Sequence, residues 1–398
     1  MCKEKTFLKK RGAVRVCGNR CWSEAITSGM HREIIKNREL WIYDGVPTSP
    51  YDMLVHGSRT HSDKTAIIDN NGRCYSFCDL LGLVDQFAAL LHGRYQVQMG
   101  SHVGLILYNC VEFAVAFLAI SKLRAVTVPL PSKYQKPEVL SLATKADVEL
   151  VVCDEAFASW FVDSGIEQIV CRGYAEGYGF RYLMEDFAST GNVFSAAQME
   201  DTAIIMFTSG TTAMSKGVVL KNYNIAHTIE AYRRMFRITD QDRSVIATPI
   251  YHITGMIALL GLFLYVGGTL WLLNKVDPKR VLSCVKENEL TFFHASPTVY
   301  HLLLEQRELF PSLPTLTRMA CGSSNMPAGS IRKIKAWLPQ VEFYTIYGMT
   351  EVSSPATTFP ACATTSPYIE SSGVQIPGLD LKIVDEAGDE VPNGEVGE

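Results

Sequence analysis

The chain has 398 residues, 47% of them hydrophobic and 20% charged, with a formal net charge of −4. Such a composition and length suit one large multi-lobed domain or two to three smaller ones, and the negative balance excludes a broad cationic surface for nucleic acid. The 11 cysteines form no Cys-x-x-Cys pair and no Cys/His grouping at metal-ligand spacing, which argues for a reducing compartment and a cytoplasmic protein.

Residues 1–45 show no clear periodicity and read as an N-terminal extension. Its first part is basic, with Lys3, Lys5, Lys9, Lys10, Arg11, Arg15 and Arg20 against Glu4 alone, and reads as a solvated arm rather than a nucleic-acid or membrane arm. Met1–Gly12 is charged with no apolar stretch, so no signal peptide is expected.

Residues 46–200 read as a first α/β lobe. A strand is predicted over Val103–Leu107, with Asn109 capping a helix that runs to about Lys122. A strand follows over Ala125–Val128, ended by Pro129, then a helix over Pro137–Lys145 and a strand over Leu150–Cys153. A helix from about Glu155 and a strand over Gln168–Cys171 come next, and residues 172–200 form a bridge rich in Gly, Ser, Tyr and Phe. Residues 201–353 resume the alternation as a second lobe. Strands are expected over Ala203–Phe207, Val218–Leu220, Val245–Thr248, Thr269–Leu273, Leu290–His294 and Val341–Ile346. Ile225, Ile229, Tyr232 and Phe236 recur at helix spacing, and Pro297 and Pro327 sit where helices begin. Short β-rich runs alternating with helices predict parallel sheets covered on both faces.

The uncharged run Met256–Leu273 reaches the length of a membrane span, but Gly267-Gly268-Thr269 divides it into a helix-like and a strand-like half. It reads as a buried helix–turn–strand, and no transmembrane segment is expected. Residues 354–398 change texture. Leu379, Leu381 and Ile383 alternate with polar neighbours, Glu386–Asp389 reads as a turn and Val391–Val396 as a returning strand. The expected architecture is therefore α/β, with two consecutive doubly wound lobes plus a small distorted antiparallel β-barrel.

Three motifs carry chemistry. Thr208-Ser-Gly-Thr-Thr-Ala-Met-Ser-Lys-Gly217 lies between two apolar strands. Small hydroxyl residues around glycine let backbone N–H groups and hydroxyls approach phosphate oxygens, and Lys216 adds a point charge. A Walker loop would place Gly directly before the Lys and open a helix, so an ordinary P-loop ATPase is disfavoured; a polar surface hairpin is the alternative. Tyr347-Gly-Met-Thr-Glu351 leaves the carboxyl end of a strand, where α/β folds bind ligands. Tyr347 can cover a ring, Gly348 turns sharply, Thr350 can bond phosphate and Glu351 is a hard ligand suited to Mg²⁺. A turn with a capping Glu is the alternative. Pro249-Ile-Tyr-His-Ile-Thr-Gly255 offers His252 as a pocket residue or, alternatively, as a satisfied core histidine.

In order, spacing and letters, these motifs resemble the adenylate-forming superfamily of acyl-CoA synthetases, luciferases and peptide-synthetase adenylation domains. The resemblance covers about residues 50–398. It takes in Cys321-Gly-Ser-Ser-Asn-Met-Pro327, similar to the family's adenine-side loop, and Gly373-Val-Gln-Ile-Pro-Gly378, similar to its entry into the barrel. Gly394-Glu-Val-Gly-Glu398 resembles the segment just before the family's ribose-binding Asp, so the small C-terminal domain and its catalytic Lys are expected to be absent and turnover by these residues alone to be poor. Ala213 stands where the family usually has Gly, and Ser215 where it has Pro.

The resemblance implies that a carboxylic acid and ATP give acyl-AMP and pyrophosphate, followed by thioester formation with coenzyme A. It implies phosphate contacts from Thr208, Ser209, Gly210, Thr211, Thr212 and Lys216, adenine contacts from Gly322, Ser323, Ser324, Tyr347 and Gly348, and an α-phosphate contact from Thr350. Glu351 and Thr212 would hold Mg²⁺, and Lys216, Thr350, Glu351 and His252 are the expected catalytic set. The region around His252, Met256, Gly322 and Met349 suggests a medium-sized apolar or aromatic acid. An enzyme that loads a carrier protein, or a catalytically weak nucleotide- or acyl-binding protein, are the alternatives. The oligomeric state is left open.

Overall fold

The computed structural model describes residues 21–171, 194–208, 215–392 and 394–398. The largest sheet has six strands in the spatial order Lys216–Lys221, Thr202–Thr208, Val126–Pro129, His102–Ile106, Leu150–Asp154 and Glu167–Cys171. All neighbours run parallel except Lys216–Lys221, which is antiparallel to Thr202–Thr208. Leu150–Asp154 is buried at every position, which explains an unbroken apolar run instead of alternation. The helix Val111–Lys122 packs almost wholly inside, and Phe77–Tyr95 lies against it. Capping boxes of Ser49 with Asp52 and Ser76 with Asp79 open the helices Pro50–His61 and Phe77–Tyr95, satisfying end N–H groups that have no partner within the helix.

A second sheet has four strands in the order Arg243–Ile246, Thr269–Leu272, Thr65–Ile68 and Cys74–Ser76. A third runs Phe292–Ala295, Arg318–Cys321, Glu342–Tyr347, Thr357–Thr358 and Val374–Gln375; its first three strands are parallel and its last two antiparallel. The first two sheets each draw strands from both sides of residue 200. One apolar core, including Phe87, Phe117, Ile229 and Phe263, joins the helices around them.

Several expectations change. Residues 21–45, expected to lack periodic structure, include a helical turn, Glu24–Thr27, and a hairpin of Met30–Ile35 with Arg38–Tyr43. Lys36 and Asn37 take φ of 46° and 66°, the left-handed pair that a two-residue hairpin turn needs. Tyr43 then stacks on His227 of the helix Asn222–Met235, with ring centroids 5.1 Å apart. The helix expected from Glu155 is a single 3₁₀ turn, Ala158–Trp160. The strand Arg318–Cys321 is additional. Pro297 opens its helix in the first turn as expected, whereas Pro327 is the residue before Ala328–Trp337.

Asn109 is not a cap. Cys110 holds that place, and its side chain does not cap the helix. Asn109 is buried and reaches across to the second sheet: its Nδ2 donates to the carbonyls of Ile246 (3.3 Å), Thr248 (2.9 Å) and Leu273 (2.9 Å), and its Oδ1 accepts from Ile250 N (2.8 Å).

The expected barrel is not closed; the sheets are open. Thr357–Thr358 and Val374–Gln375 extend the third sheet, and each is only two residues long, too short to carry the stagger that closure needs. Val391–Val396 is not a strand. Pro392 lacks an N–H for a ladder, and among the described residues pairing is limited to the Val384–Glu390 bridge, the bonds from Val391 N to the Ile383 carbonyl and from Asp385 N to the Asp389 carbonyl, and a reciprocal pair between Val384 and Glu398.

Met256–Leu273 divides as expected. A π-type helix over Thr254–Gly261 continues as an α-helix over Leu262–Val266, Gly267 caps it at φ 80°, and strand Thr269–Leu272 follows. Among the described residues no helix is long and apolar enough to cross a membrane. No disulfide occurs among them either, and Cys153 and Cys171 are buried as small apolar groups.

Candidate active site

The carboxyl ends of the parallel strands converge on two adjoining cavities. Arg243–Ile246 leads into the loop carrying Thr248 and His252. Phe292–Ala295 ends beside Ser296, Arg318–Cys321 delivers Gly322 to Met326, and Glu342–Tyr347 delivers Gly348 to Thr350. The first cavity, about 380 Å³, is lined by His252, His294, Gly322, Ser323, Met349 and Thr350, among others. The second, about 300 Å³, is lined by Ser323, Ser324, Asn325, Thr345, Tyr347 and Gly348, among others. Ser323, Ile346 and Gly348 belong to both, so the two spaces meet at one rim. This is where a parallel sheet offers ligand sites, because the strand ends stop and the loops spread apart.

The sequence-predicted residues therefore divide between the cavities. His252, Gly322, Ser323, Gly348 and Thr350 line the first, and Ser323, Ser324, Tyr347 and Gly348 the second. Tyr347 keeps half its surface exposed. Glu351 lies one residue beyond, exposed on the 3₁₀ turn Thr350–Val352. That turn lies against strand Lys216–Lys221, which brings the first motif's strand beside the second motif's acid. Thr208 and Lys216 face each other as paired residues at the mouth of their hairpin. Ser209, Gly210, Thr211, Thr212 and Ala213 lie outside the described residues. The carbonyl of Ser215 accepts from Lys145 Nζ, while Lys216 is exposed and makes no ion pair among the described residues.

Two histidines shape the first cavity. His252 packs on Tyr251 with ring centroids 4.6 Å apart. Its ring keeps an exposed edge, yet desolvation by the surrounding walls and then the charge of Lys133 push its pKa down to about 4. It is neutral at pH 7 and offers a hydrogen bond, not a charge. His294 is 3% exposed, between Tyr232 and Phe292, and burial pushes its pKa down to about 3. Its Nδ1 has no hydrogen-bond partner, and neither has Thr248 Oγ1 in the same cavity wall.

The backbone at the rim is unusual as well. Ser323, Ser353 and Ser354 hold φ of 74°, 59° and 36°. Residues other than glycine stay left-handed only where their surroundings impose it, and such positions gather at ligand sites. Ser353 is tied down by Thr228, whose Oγ1 donates to its carbonyl at 3.3 Å.

Sequence reasoning missed Thr248, His294 and Ser354. His294 carries a faint signal, a polar residue closing the apolar run Phe292-Phe293, but only the tertiary packing turns it toward a cavity. Met256, expected in the pocket, is instead fully buried in the π-type helix and does not line it.

No group of three or more His, Cys, Asp and Glu side chains able to hold a metal occurs among the described residues. A lone exposed carboxylate still fits Mg²⁺, which takes most of its ligands from water and phosphate. A larger groove, about 780 Å³, lies elsewhere, between the hairpin of residues 65–76 and the helix Pro278–Glu287. Its Lys64, Arg243 and Arg280 donate to the carbonyls of Asp240, Asn288 and Asn70, and Asp69, Asp240 and Glu287 line the same groove, so its charges are mixed in sign.

The chain is 26% identical over 355 residues to a medium-chain fatty-acid–CoA ligase of Escherichia coli, covering 86% of this chain and 62% of that protein. It is 25% identical over 363 residues to 4-coumarate–CoA ligase-like 6 of Arabidopsis thaliana, covering 86% and 63%. The chain thus spans less than two thirds of the length of both relatives. The inhibitor-bound N-terminal domain of FACL13 from Mycobacterium tuberculosis shares the fold, with a TM-score of 0.78 at 20% identity and coverage of 86% of each chain. A family model described as AMP-binding enzyme matches residues 54–398, most of the chain and every motif above, and the chain belongs to that family.

Proposed function

We propose that the protein activates a carboxylic acid with ATP as an acyl-AMP, releasing pyrophosphate, and then passes the acyl group to coenzyme A. The observation that carries this reading is the meeting of the two cavities at Ser323, Ile346 and Gly348. An acid in the first cavity and an adenine in the second would bring a carboxylate and an α-phosphate together beside Thr350. Two reactants held in one orientation no longer pay the entropy of a bimolecular encounter, which is the main catalytic effect this site can supply. The carboxylate oxygen attacks the α-phosphorus, the bond to the leaving pyrophosphate breaks, and no protein nucleophile takes part.

In this reading Tyr347 covers the adenine, Gly322, Ser323, Ser324 and Gly348 line its edge, and Thr350 donates to the α-phosphate. Thr208, Ser209, Gly210, Thr211, Thr212 and Lys216 hold the outer phosphates. Glu351, with Thr212, would hold a magnesium ion that neutralises phosphate charge. His252, neutral at pH 7, borders the acid. The placement of Thr350–Val352 against Lys216–Lys221 supports a common triphosphate site for these groups. We further propose an N-terminal extension (1–45), a C-terminal β portion (354–398) and a cytoplasmic location; the expected division of 46–353 into units at 200/201 gives way to one body, because the first two sheets each take strands from both sides of residue 200.

The test is pyrophosphate release from a panel of carboxylic acids with ATP, with and without coenzyme A, run on the native protein and on Lys216→Ala. At least one acid should release pyrophosphate in the native protein. Lys216→Ala should weaken ATP by about 1.5–3 kcal/mol, the range for hydrogen bonds to charged groups, and AMP by much less. Equal losses for ATP and AMP in calorimetry would remove Lys216 from the outer phosphates.

A further inference from the structure

Resting on the acid-activating reading, we propose that the acid carries a neutral hydrogen-bonding group, a hydroxyl or a carbonyl, in addition to its carboxylate, and that His294 and Thr248 recognise it. The two side chains come from different elements. His294 lies in strand Phe292–Ala295, and Thr248 follows strand Arg243–Ile246, yet both line the first cavity and neither lines the second. The rim shared by the cavities is where the carboxylate has to lie to reach an α-phosphate. His294 and Thr248 are therefore available to the rest of the acid.

Both present polar atoms that the protein leaves unmatched. His294 Nδ1 and Thr248 Oγ1 are buried without a hydrogen-bond partner, and His294 makes no hydrogen bond at either ring nitrogen among the described residues. Its Nε2 lies 3.6 Å from where a Cβ on Gly322 would stand, so the absence of a side chain at Gly322 keeps that edge of the ring open. Buried polar atoms are nearly always paired, and of the unpartnered ones among the described residues these two belong to side chains that line the first cavity, where a ligand can supply the missing partner. A plain hydrocarbon would leave both atoms desolvated and unpaired, the situation by which polar pockets reject analogues lacking the matching group.

The group has to be neutral. The cavity's lining contains no Lys, Arg, Asp or Glu. A second carboxylate or an ammonium would enter without a counter-charge, which burial penalises heavily. A neutral imidazole and a hydroxyl can both donate and accept, so together they suit an alcohol, a phenol or a ketone.

The experiment compares 3-phenylpropanoate, its ring-hydroxylated isomers and its ring-carboxylated analogue, alongside octanoate and its terminal alcohol. Binding is read by calorimetry with a non-hydrolysable ATP analogue, and activation by pyrophosphate release, in the native protein, His294→Leu and Thr248→Val. Thermal melting with and without ATP checks that each variant folds. In the native protein at least one hydroxylated acid should bind about tenfold tighter than its unsubstituted parent, as expected for one net hydrogen bond. The carboxylated analogue should bind more weakly than either. Both variants should lose the preference while still binding ATP. Equal or tighter binding of the unsubstituted acids by the native protein, or a preference that survives both substitutions, overturns the inference alone. ATP binding without binding or activation of any acid overturns the acid-activating reading and the inference with it.

Discussion

His294 is 3% exposed with its pKa pushed down to about 3 by burial, which ties its chemistry to pH. In the unfolded chain a histidine titrates near 6.5. As pH falls below that value the unfolded state takes up a proton while the folded state stays neutral until about 3. Stability is therefore lost through this window, by up to about 1.4 kcal/mol per pH unit, and the group contributes nothing above it. The expected outcome is that the unfolding free energy of the native protein, measured in urea, falls between pH 7 and pH 5 by about 2 kcal/mol more than that of His294→Leu. His227, also buried with a lowered pKa, is common to both proteins and cancels. Parallel pH profiles would show that His294 reaches solvent. The sequence announced this residue only faintly, as the polar end of the apolar run Phe292-Phe293. Lys216, Tyr347 and Glu351 stand out because their loops have a chemistry that can be read locally, whereas His294 acquires its surroundings from Tyr232 and Gly322, distant in the chain.

Among the elements, the π-type helix Thr254–Gly261 follows directly on the His252 loop, and Met256 N donates to the His252 carbonyl at 3.0 Å. Gly255 sits in its first turn, where a Cβ would stand 2.7 Å from Ile250 Cα and 2.9 Å from Ile250 O. Backbone cannot move aside as the tip of a flexible side chain can. Gly255→Ala should therefore force the 250–255 turn open, cost about 1–3 kcal/mol in thermal stability, and weaken acid binding about tenfold while ATP still binds. Unchanged acid affinity by calorimetry would separate this turn from the cavity. The helix itself was legible as the apolar run before Gly267-Gly268, as were the apolar strands of the central sheet, because both follow from local hydrophobic pattern. The hairpin Met30–Tyr43 was not, since Lys36-Asn37 lacks the glycine that usually marks such a turn. Arg318–Cys321 was hidden for another reason: four residues without a β-branched or aromatic side chain give no strand signal, and only parallel neighbours on both sides make them one.

For the molecule as a whole, the order of the strands in the chain conceals how the sheets are joined. The alternating pattern indicated doubly wound units, but not that Thr65–Ile68 pairs with Thr269–Leu272, nor that Asn109 ties the first sheet to the second. Asn109 looked like a helix cap because it precedes an apolar helix, which is all that a local reading can see. Its four bonds instead hold Ile246, Thr248, Ile250 and Leu273, and the middle two flank the loop that carries one wall of the first cavity. Removing the amide strands several carbonyls and one N–H in a buried place, at about 1–3 kcal/mol for each group that water does not reach. Asn109→Ala should therefore destabilise the protein by about 3 kcal/mol or more in urea. It should also raise hydrogen exchange at Ile250 and weaken the acid more than ATP, because Thr248 would no longer be held while the Tyr347 side of the site stays intact. A global loss of stability with both ligands weakened equally would mean that Asn109 serves only the core. A variant as stable as the native protein would mean that the sheets are joined by apolar packing alone, and that the conjunction of their strand ends at the cavities needs no polar clamp.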